Sequence, residues 1–215
     1  MNQKTRRLTA VAMLCALAFV ASFCKIPIVL WLKYEPKDVI IAMGGFLMGP
    51  VTGVIISGVA ALLELPFSET GAVGMAMNFI ASAAFVVPAA LLYKKRRSLR
   101  FAAIGLVSGA LIATGVMLLW NYFLTPLYMG YPREAVAELL IPFFLPFNLL
   151  KTGLNTALTL LLYKPAVTAL RRAKLMPTDV SAQAPTKTER LGAYLLAALL
   201  LLTCILAALA LRGIL

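Results

Sequence analysis

The sequence predicts an all-α integral membrane protein, with six transmembrane helices in one bundle and a seventh appended at the C-terminal end. Three observations lead to this fold class. Hydrophobic residues make up 62% of the 215 residues and charged residues only 13%, whereas a soluble domain is roughly half apolar and about a quarter charged. Apolar runs of membrane-spanning length follow one another along the chain, and most basic residues lie between these runs.

The apolar runs define the helices in order. The first covers residues 8–23. Residues 39–63 are long enough for one span, but Gly49-Pro50 interrupts them. Because proline lacks a backbone donor and clashes with the preceding turn, we predict two short helices joined by a tight turn. The remaining predicted helices cover residues 71–93, 101–124, 141–163 and 191–211, and each approaches or exceeds the roughly 20 residues that cross a bilayer.

A polar, proline-containing segment at residues 174–190 separates the last helix from the rest and is typical of a linker. The predicted organisation is a six-helix domain at residues 1–173, a cytoplasmic linker at 174–190 and an extra transmembrane helix at 191–215. Few packed contacts are expected to cross such a linker. The six-helix domain is therefore expected to tolerate removal of residues 188–215.

The distribution of charge predicts the orientation in the membrane. Fourteen of the 20 lysines and arginines lie in three segments, at residues 4–7, 94–100 and 164–190. Loops rich in Lys and Arg stay in the cytoplasm, which places the N-terminus inside in a multi-pass protein of the cell membrane. This pattern explains the net charge of +12 without a nucleic-acid partner. Six of the eight acidic residues then fall in the outer loops: Glu35, Asp38, Glu64, Glu69, Glu134 and Glu138.

A few polar side chains lie within the predicted helices. Asn148, Lys151 and Asn155 are spaced i, i+3 and i+7, so they share one helical face, and Asn78 and Asn121 lie in neighbouring helices. An asparagine at such a depth either joins two helices by hydrogen bonds or faces a ligand. The positions of these groups in the outer half favour a common cavity, in which Asn155, a turn deeper, is expected to matter less.

Lys151 is the most informative of these residues because a charged group inside a membrane helix costs a few kcal/mol unless it has a partner or reaches water. It either reaches the outer surface, pairs with Asp38 or Glu64, or contributes to a cavity. The loop at residues 31–38 allows two interpretations as well. It is either an interfacial aromatic belt with flanking charges or a lid, in which Tyr34 stacks on a planar ligand and Lys33 and Asp38 bind its edges.

The motifs absent from the sequence argue against an enzyme. The chain contains no histidine, no GxxxxGK[ST] phosphate loop, no HExxH and no GxSxG. Neither a resident cofactor nor a metal site is expected, and the three scattered cysteines form no CxxC pair. A small membrane-embedded enzyme of lipid metabolism and a purely structural membrane protein remain the alternatives from other classes.

Residues 5–170 resemble the substrate-binding (S) component of energy-coupling-factor (ECF) transporters, in particular its riboflavin-specific members. The resemblance rests on five motifs in order. They are KYEPKDV at 33–39, GGFLMGPVTGVIIS at 44–57, MNFIAS at 77–82, NYF at 121–123 and LPFNLLKTGLN at 145–155.

This resemblance implies a six-helix S-component bundle that binds riboflavin with high affinity near the outer face and has no catalytic activity. The residues it implies around the vitamin are Lys33, Tyr34, Asp38, Asn78, Asn121, Asn148 and Lys151. An S component for another vitamin, such as folate or pantothenate, remains the nearest alternative. Ala12 and Ala16 would allow close helix packing, and the resemblance implies that they dock on a transmembrane coupling subunit, which carries two ATPases. The seventh helix departs from the six-helix pattern of the family.

Overall fold

The computed structural model describes residues 2–29, 32–68, 70–172 and 186–211. Its helices are α1 (Gln3–Ser22), α2 (Lys37–Met48), α3 (Pro50–Glu64), α4 (Gly71–Lys95), α5 (Leu99–Met129), α6 (Arg133–Leu139), α7 (Leu145–Arg172) and α8 (Lys187–Leu211). Strands β1 (Ile26–Val29) and β2 (Leu32–Tyr34) form an antiparallel hairpin between α1 and α2. A 3₁₀ turn covers Leu65–Phe67, and a π-helical turn covers Leu140–Phe144.

Six stretches of the described residues are long and apolar enough to cross a membrane, which confirms the predicted all-α membrane class. They are Gln3–Ser22, Pro50–Phe67, Gly71–Lys95, Leu99–Leu127, Arg133–Ala166 and Thr188–Ala210. Several helices are longer than the sequence suggested, because charged residues at their ends continue the helix beyond the apolar run. The hairpin was not predicted.

The predicted break in residues 39–63 is confirmed. Gly49 has φ 98°, a left-handed conformation that other residues rarely adopt, and Pro50 starts α3, where its missing donor costs nothing. With 12 residues, α2 is only about 18 Å long and too short to span the hydrocarbon alone. It lies in the centre of the bundle instead, in contact with α1, α3, α4 and α7, and nearly all of its side chains are buried.

Glycine permits the close packing of α4 against α5. A Cβ on Gly105 would lie 2.7 Å from the carbonyl oxygen of Ala89, and one on Gly109 would overlap that of Phe85. At the end of the bundle that carries the basic loops, the hydroxyls of Tyr93 on α4 and Tyr163 on α7 form a buried hydrogen bond. These contacts join α4, α5 and α7 into the frame on which the outer half of the bundle is built.

The C-terminal helix is packed along its length rather than loosely attached. Helix α8 contacts α7, α5 and β1, and Ala193, Ala197 and Cys204 are buried. The expectation of few packed contacts between this helix and the bundle is therefore wrong. The helix begins at Lys187, four residues earlier than predicted. Residues 173–185, which include most of the predicted linker, and residues 212–215 lie outside the described residues.

A reciprocal capping arrangement explains the early start of α8. The Glu189 amide donates to Thr186 Oγ1 over 3.2 Å, and the Thr186 amide donates to Glu189 Oε2 over 3.1 Å. This exchange satisfies two backbone donors that the first turn of a helix would otherwise leave unpaired. The other carboxylate oxygen of Glu189 lies 3.2 Å from Arg100 Nε on α5 and ties the same turn to the bundle.

Candidate functional site

A cavity of about 230 Å³ lies at the end of the bundle that carries the hairpin. This volume is slightly below the roughly 300–1,000 Å³ that is common for ligand pockets. The elements that form the wall are the end of α1, the hairpin, the α3–α4 connection and the facing sides of α4, α5 and α7. The site is thus built from parts of the chain far apart in sequence.

The structure brings five of the seven predicted ligand residues to this wall: Lys33, Asn78, Asn121, Asn148 and Lys151. The other two, Tyr34 and Asp38, do not line the cavity and are 3% and 2% exposed. They lie behind the wall, in contact with residues that do. The idea that Tyr34 stacks on a planar ligand therefore does not match its position, because the ring is packed away from the cavity.

A buried network explains where Tyr34 and Asp38 act. Asp38 Oδ1 accepts from the Ser82 hydroxyl, and Asp38 Oδ2 accepts from Asn155 Nδ2 over 3.1 Å. The Tyr34 hydroxyl donates to Asn155 Oδ1 over 2.9 Å. Lys151 Nζ lies 3.9 Å from Asp38 Oδ2. The network therefore fixes the Lys151 ammonium group at the cavity wall from behind.

Two details of this network matter for its chemistry. Burial, with the negative charge of Asp38 adding to it, raises the pKa of the Tyr34 phenol further above neutral pH, and the protonated hydroxyl donates to Asn155. Asn155 is 1% exposed and bridges Tyr34 to Asp38. Asn155 does not line the cavity, in agreement with its deeper position on α7. That it affects ligand binding less than Asn148 and Lys151 stays a prediction.

A second charged group, centred on Lys37, lies beside the cavity and was missed in the sequence. Lys37, which is 2% exposed, has its Nζ 2.5 Å from Glu64 Oε2 and 2.8 Å from Glu35 Oε2. Asn78 Nδ2 donates to the same Glu64 oxygen over 3.2 Å. Both carboxylates line the cavity, and Lys37 pairs with both of them. The signal was the charge alternation Glu35-x-Lys37 next to an apolar helix.

The two asparagines on the longest helices are oriented by their own backbones. Asn121 Nδ2 donates to the Met117 carbonyl and Asn148 Nδ2 to the Phe144 carbonyl, each over 2.7 Å. Phe144 closes the π-helical turn just before α7, and such turns are frequent at functional sites because they re-aim side chains. These bonds hold the amides at the wall before any ligand arrives.

The rest of the wall is apolar and aromatic. It includes Phe67, Met77, Met117, Phe144 and Phe147. An apolar pocket with a few convergent amide, ammonium and carboxylate groups suits a ligand with a flat uncharged part and a hydroxylated part. Such a site binds and orients a molecule. Among the described residues, no group of three or more His, Cys, Asp or Glu side chains could hold a metal ion.

Comparison with known proteins decides the family. The model of the "ECF transporter, substrate-specific component" family matches residues 6–163. This chain belongs to that family. The "Riboflavin transporter RibU" of Staphylococcus aureus is 34% identical to this S component, over 79% of this chain and 95% of that protein. The "Riboflavin transporter FmnP" of Bacillus subtilis is 28% identical, over 80% and 99% respectively.

A solved structure supports the same assignment. It is described as "Structure and mechanism of the S component of a bacterial ECF transporter". It shares 32% sequence identity with a TM-score of 0.68, and the match covers 79% of this S component and 99% of that chain. All five lining residues predicted from the sequence fall within the segment that the family model matches, whereas α8 follows it.

Proposed function

We propose that this S component binds riboflavin in the cavity and delivers it to an ECF coupling module for ATP-driven uptake. The observation that carries the proposal is the cavity itself, in which aromatic walls and fixed polar groups meet in a chain whose relatives are riboflavin transporters. The protein acts by binding and not by catalysis.

The chemistry of riboflavin suits the two halves of the wall. Its isoalloxazine is flat and uncharged, which favours the aromatic and thioether side chains of Phe67, Met77 and Phe147. Its ribityl chain carries several hydroxyls, which can pair with fixed amides and charged groups such as Asn148 and Lys151. We therefore place the ring between the apolar residues and the ribityl chain along α7.

Energy must come from partner subunits because the chain has no phosphate loop. We propose a transmembrane coupling subunit, with two ATPases on its cytoplasmic side, as the partner. Ala12 and Ala16 on α1 are exposed and four residues apart, which leaves room for a close helix–helix contact in lipid. We place the protein in the cell membrane with its N-terminus in the cytoplasm, consistent with the basic segments at residues 4–7 and 94–100.

Riboflavin titration of the purified protein is expected to give one binding site per chain. Flavin fluorescence should be quenched as the ring enters the aromatic cavity, with saturation at micromolar ligand or below. Folate and pantothenate serve as matched competitors. If either of them binds and riboflavin does not quench, the ligand assignment is wrong, although the protein remains an S component.

Lys151→Ala and Asn148→Ala are each expected to weaken riboflavin binding by about tenfold or more. A hydrogen bond to a charged or well-placed buried group contributes roughly 1.5–3 kcal/mol, and 1.4 kcal/mol corresponds to tenfold. Leu149→Ala is the matched control, because this side chain lies between them in sequence but is 43% exposed on the outer face of α7. The affinities are measured by the same quenching assay. Equal affinities for all three variants and the parent would show that the ligand does not touch this face of α7.

A further inference from the structure

We propose that α8 supports the ligand site. It packs against the β1–β2 hairpin and so holds this wall of the cavity in place. The inference rests on the proposed function for its ligand, riboflavin. The observation behind it is the position of Cys204 on α8, which packs in one cluster with residues of the hairpin and of α7. Cys204 thereby becomes a positioning residue for a site that it does not touch.

The hairpin contributes both to the cavity and to a buried cluster beside it. Leu32 and Lys33 line the cavity. Ile28 and Tyr34 are buried and pack in one cluster with Phe147, Leu150 and Cys204, which come from α7 and α8. Leu32 packs against this cluster as well, and Phe147 also lines the cavity, so the cluster adjoins the cavity directly. The cluster is therefore a buttress for the hairpin, and α8 contributes to it.

The contact between α8 and α7 leaves little free space at this level. Cys204 Sγ lies 3.7 Å from the carbonyl oxygen of Leu150. A single Cβ added at Gly153 would lie only 2.9 Å from the same sulfur. Because packed cores relax only partly when a larger group is inserted, a bulky residue at position 204 must displace α8 or its neighbours.

Such a displacement reaches the ligand groups by two short routes. Lys151 is the neighbour of Leu150 on α7 and lines the cavity. Tyr34, on the hairpin, is joined through Asn155 to Asp38 and thence to Lys151. Loosening the buttress therefore releases the hairpin and the Lys151 ammonium group together.

This support is additional to the fold that the chain shares with its family, because α8 begins at Lys187 and the family match ends at residue 163. The cavity is also smaller than a typical ligand pocket, and we expect the hairpin to move when the ligand enters or leaves. A helix that backs the hairpin raises the resistance to this movement. It is expected to slow the release of bound ligand.

The test uses the full-length protein with Cys204→Trp, and Ile205→Trp as its control. Ile205 is the next residue of α8, at the same depth, but is 52% exposed. We expect Cys204→Trp to bind riboflavin about tenfold more weakly, mainly through faster dissociation. Hydrogen–deuterium exchange in peptides that span the hairpin should become faster in the same variant. Ile205→Trp should match the parent in both measurements.

A folded Cys204→Trp protein with parental affinity and parental exchange in the hairpin would overturn the inference. If that variant does not fold, Gly153→Ala gives a milder test, since it places one methyl group against the same sulfur. Its binding should be weaker, and the double variant Gly153→Ala/Cys204→Ala should restore it by making room. A loss that the second substitution does not restore would also overturn the inference. Should the parent protein bind no riboflavin, the proposed function fails, but hydrogen exchange in the hairpin still decides the role of α8.

Discussion

Replacing Lys37 with methionine is expected to lower the free energy of unfolding by about 3–5 kcal/mol, the cost of removing one partner from a buried ion pair. Lys37 is 2% exposed and its Nζ contacts the carboxylates of Glu35 and Glu64. Methionine has a similar volume but no charge, so both carboxylates would remain at the wall without this cation. The loss is measured by denaturant or thermal unfolding in a mild detergent, followed by circular dichroism.

Lys25→Met is the matched control for this prediction. Lys25 lies 4.0 Å from the same Glu35, but it is 38% exposed, and exposed ion pairs contribute roughly 0–1 kcal/mol. Adding Glu35→Gln and Glu64→Gln to Lys37→Met should restore part of the stability, because neutral amides are easier to leave without a charged partner. If Lys25→Met and Lys37→Met reduce stability equally, burial does not govern the strength of this ion group.

The polar residues of the site could be predicted because each stood out against an apolar background. An amide or ammonium group inside a membrane helix requires a partner, a cavity or water, which makes Asn78, Asn121, Asn148 and Lys151 conspicuous. Five of the seven predicted residues line the cavity. The helices were predictable for a related reason, since the bilayer sets the length of an apolar run.

Which acidic residue pairs with which lysine could not be predicted, because the ion pairs depend on how segments distant in sequence meet in the fold. The sequence left Asp38 and Glu64 as equal candidates to pair with Lys151. In the structure Asp38 lies near Lys151, and Glu64 pairs with Lys37. The orientation of Tyr34 could not be predicted for the same reason. Only its place in the hairpin determines whether its ring faces the cavity or packs in the cluster with Cys204.

The sequence of α8 contains a pattern that indicates packing, but the leucine-rich composition around it made this pattern inconspicuous. Ala193 and Ala197 are four residues apart, and both are buried in the structure. Small residues at this spacing allow close helix contacts in lipid. The polar sequence of residues 174–190 indicated a separate element, but the composition of a linker does not determine whether the helix after it packs on the bundle.

Ala12→Trp combined with Ala16→Trp is expected to reduce riboflavin uptake by cells at least tenfold while binding by the purified protein stays unchanged. Both alanines are exposed on α1, whereas Ala10, Leu14 and Ala18 on the opposite side are buried in the core. Two indole rings on this surface would keep a partner helix at a distance, and close approach of small residues is what allows helices to associate in lipid.

Binding should survive because the cavity touches α1 only at its outer end, at Ser22 and Phe23. Ser22 follows Ala16 by six positions along the helix, or about 9 Å at 1.5 Å per residue. Uptake is measured in cells that also produce the coupling module, and binding by flavin quenching of the same variant in detergent. Leu111→Trp, on the exposed side of α5, is the control and should transport normally. Parental uptake by the double variant would place the docking surface elsewhere. A loss of flavin binding would show that α1 shapes the cavity along its whole length, so that transport and ligand binding could not be separated at this surface.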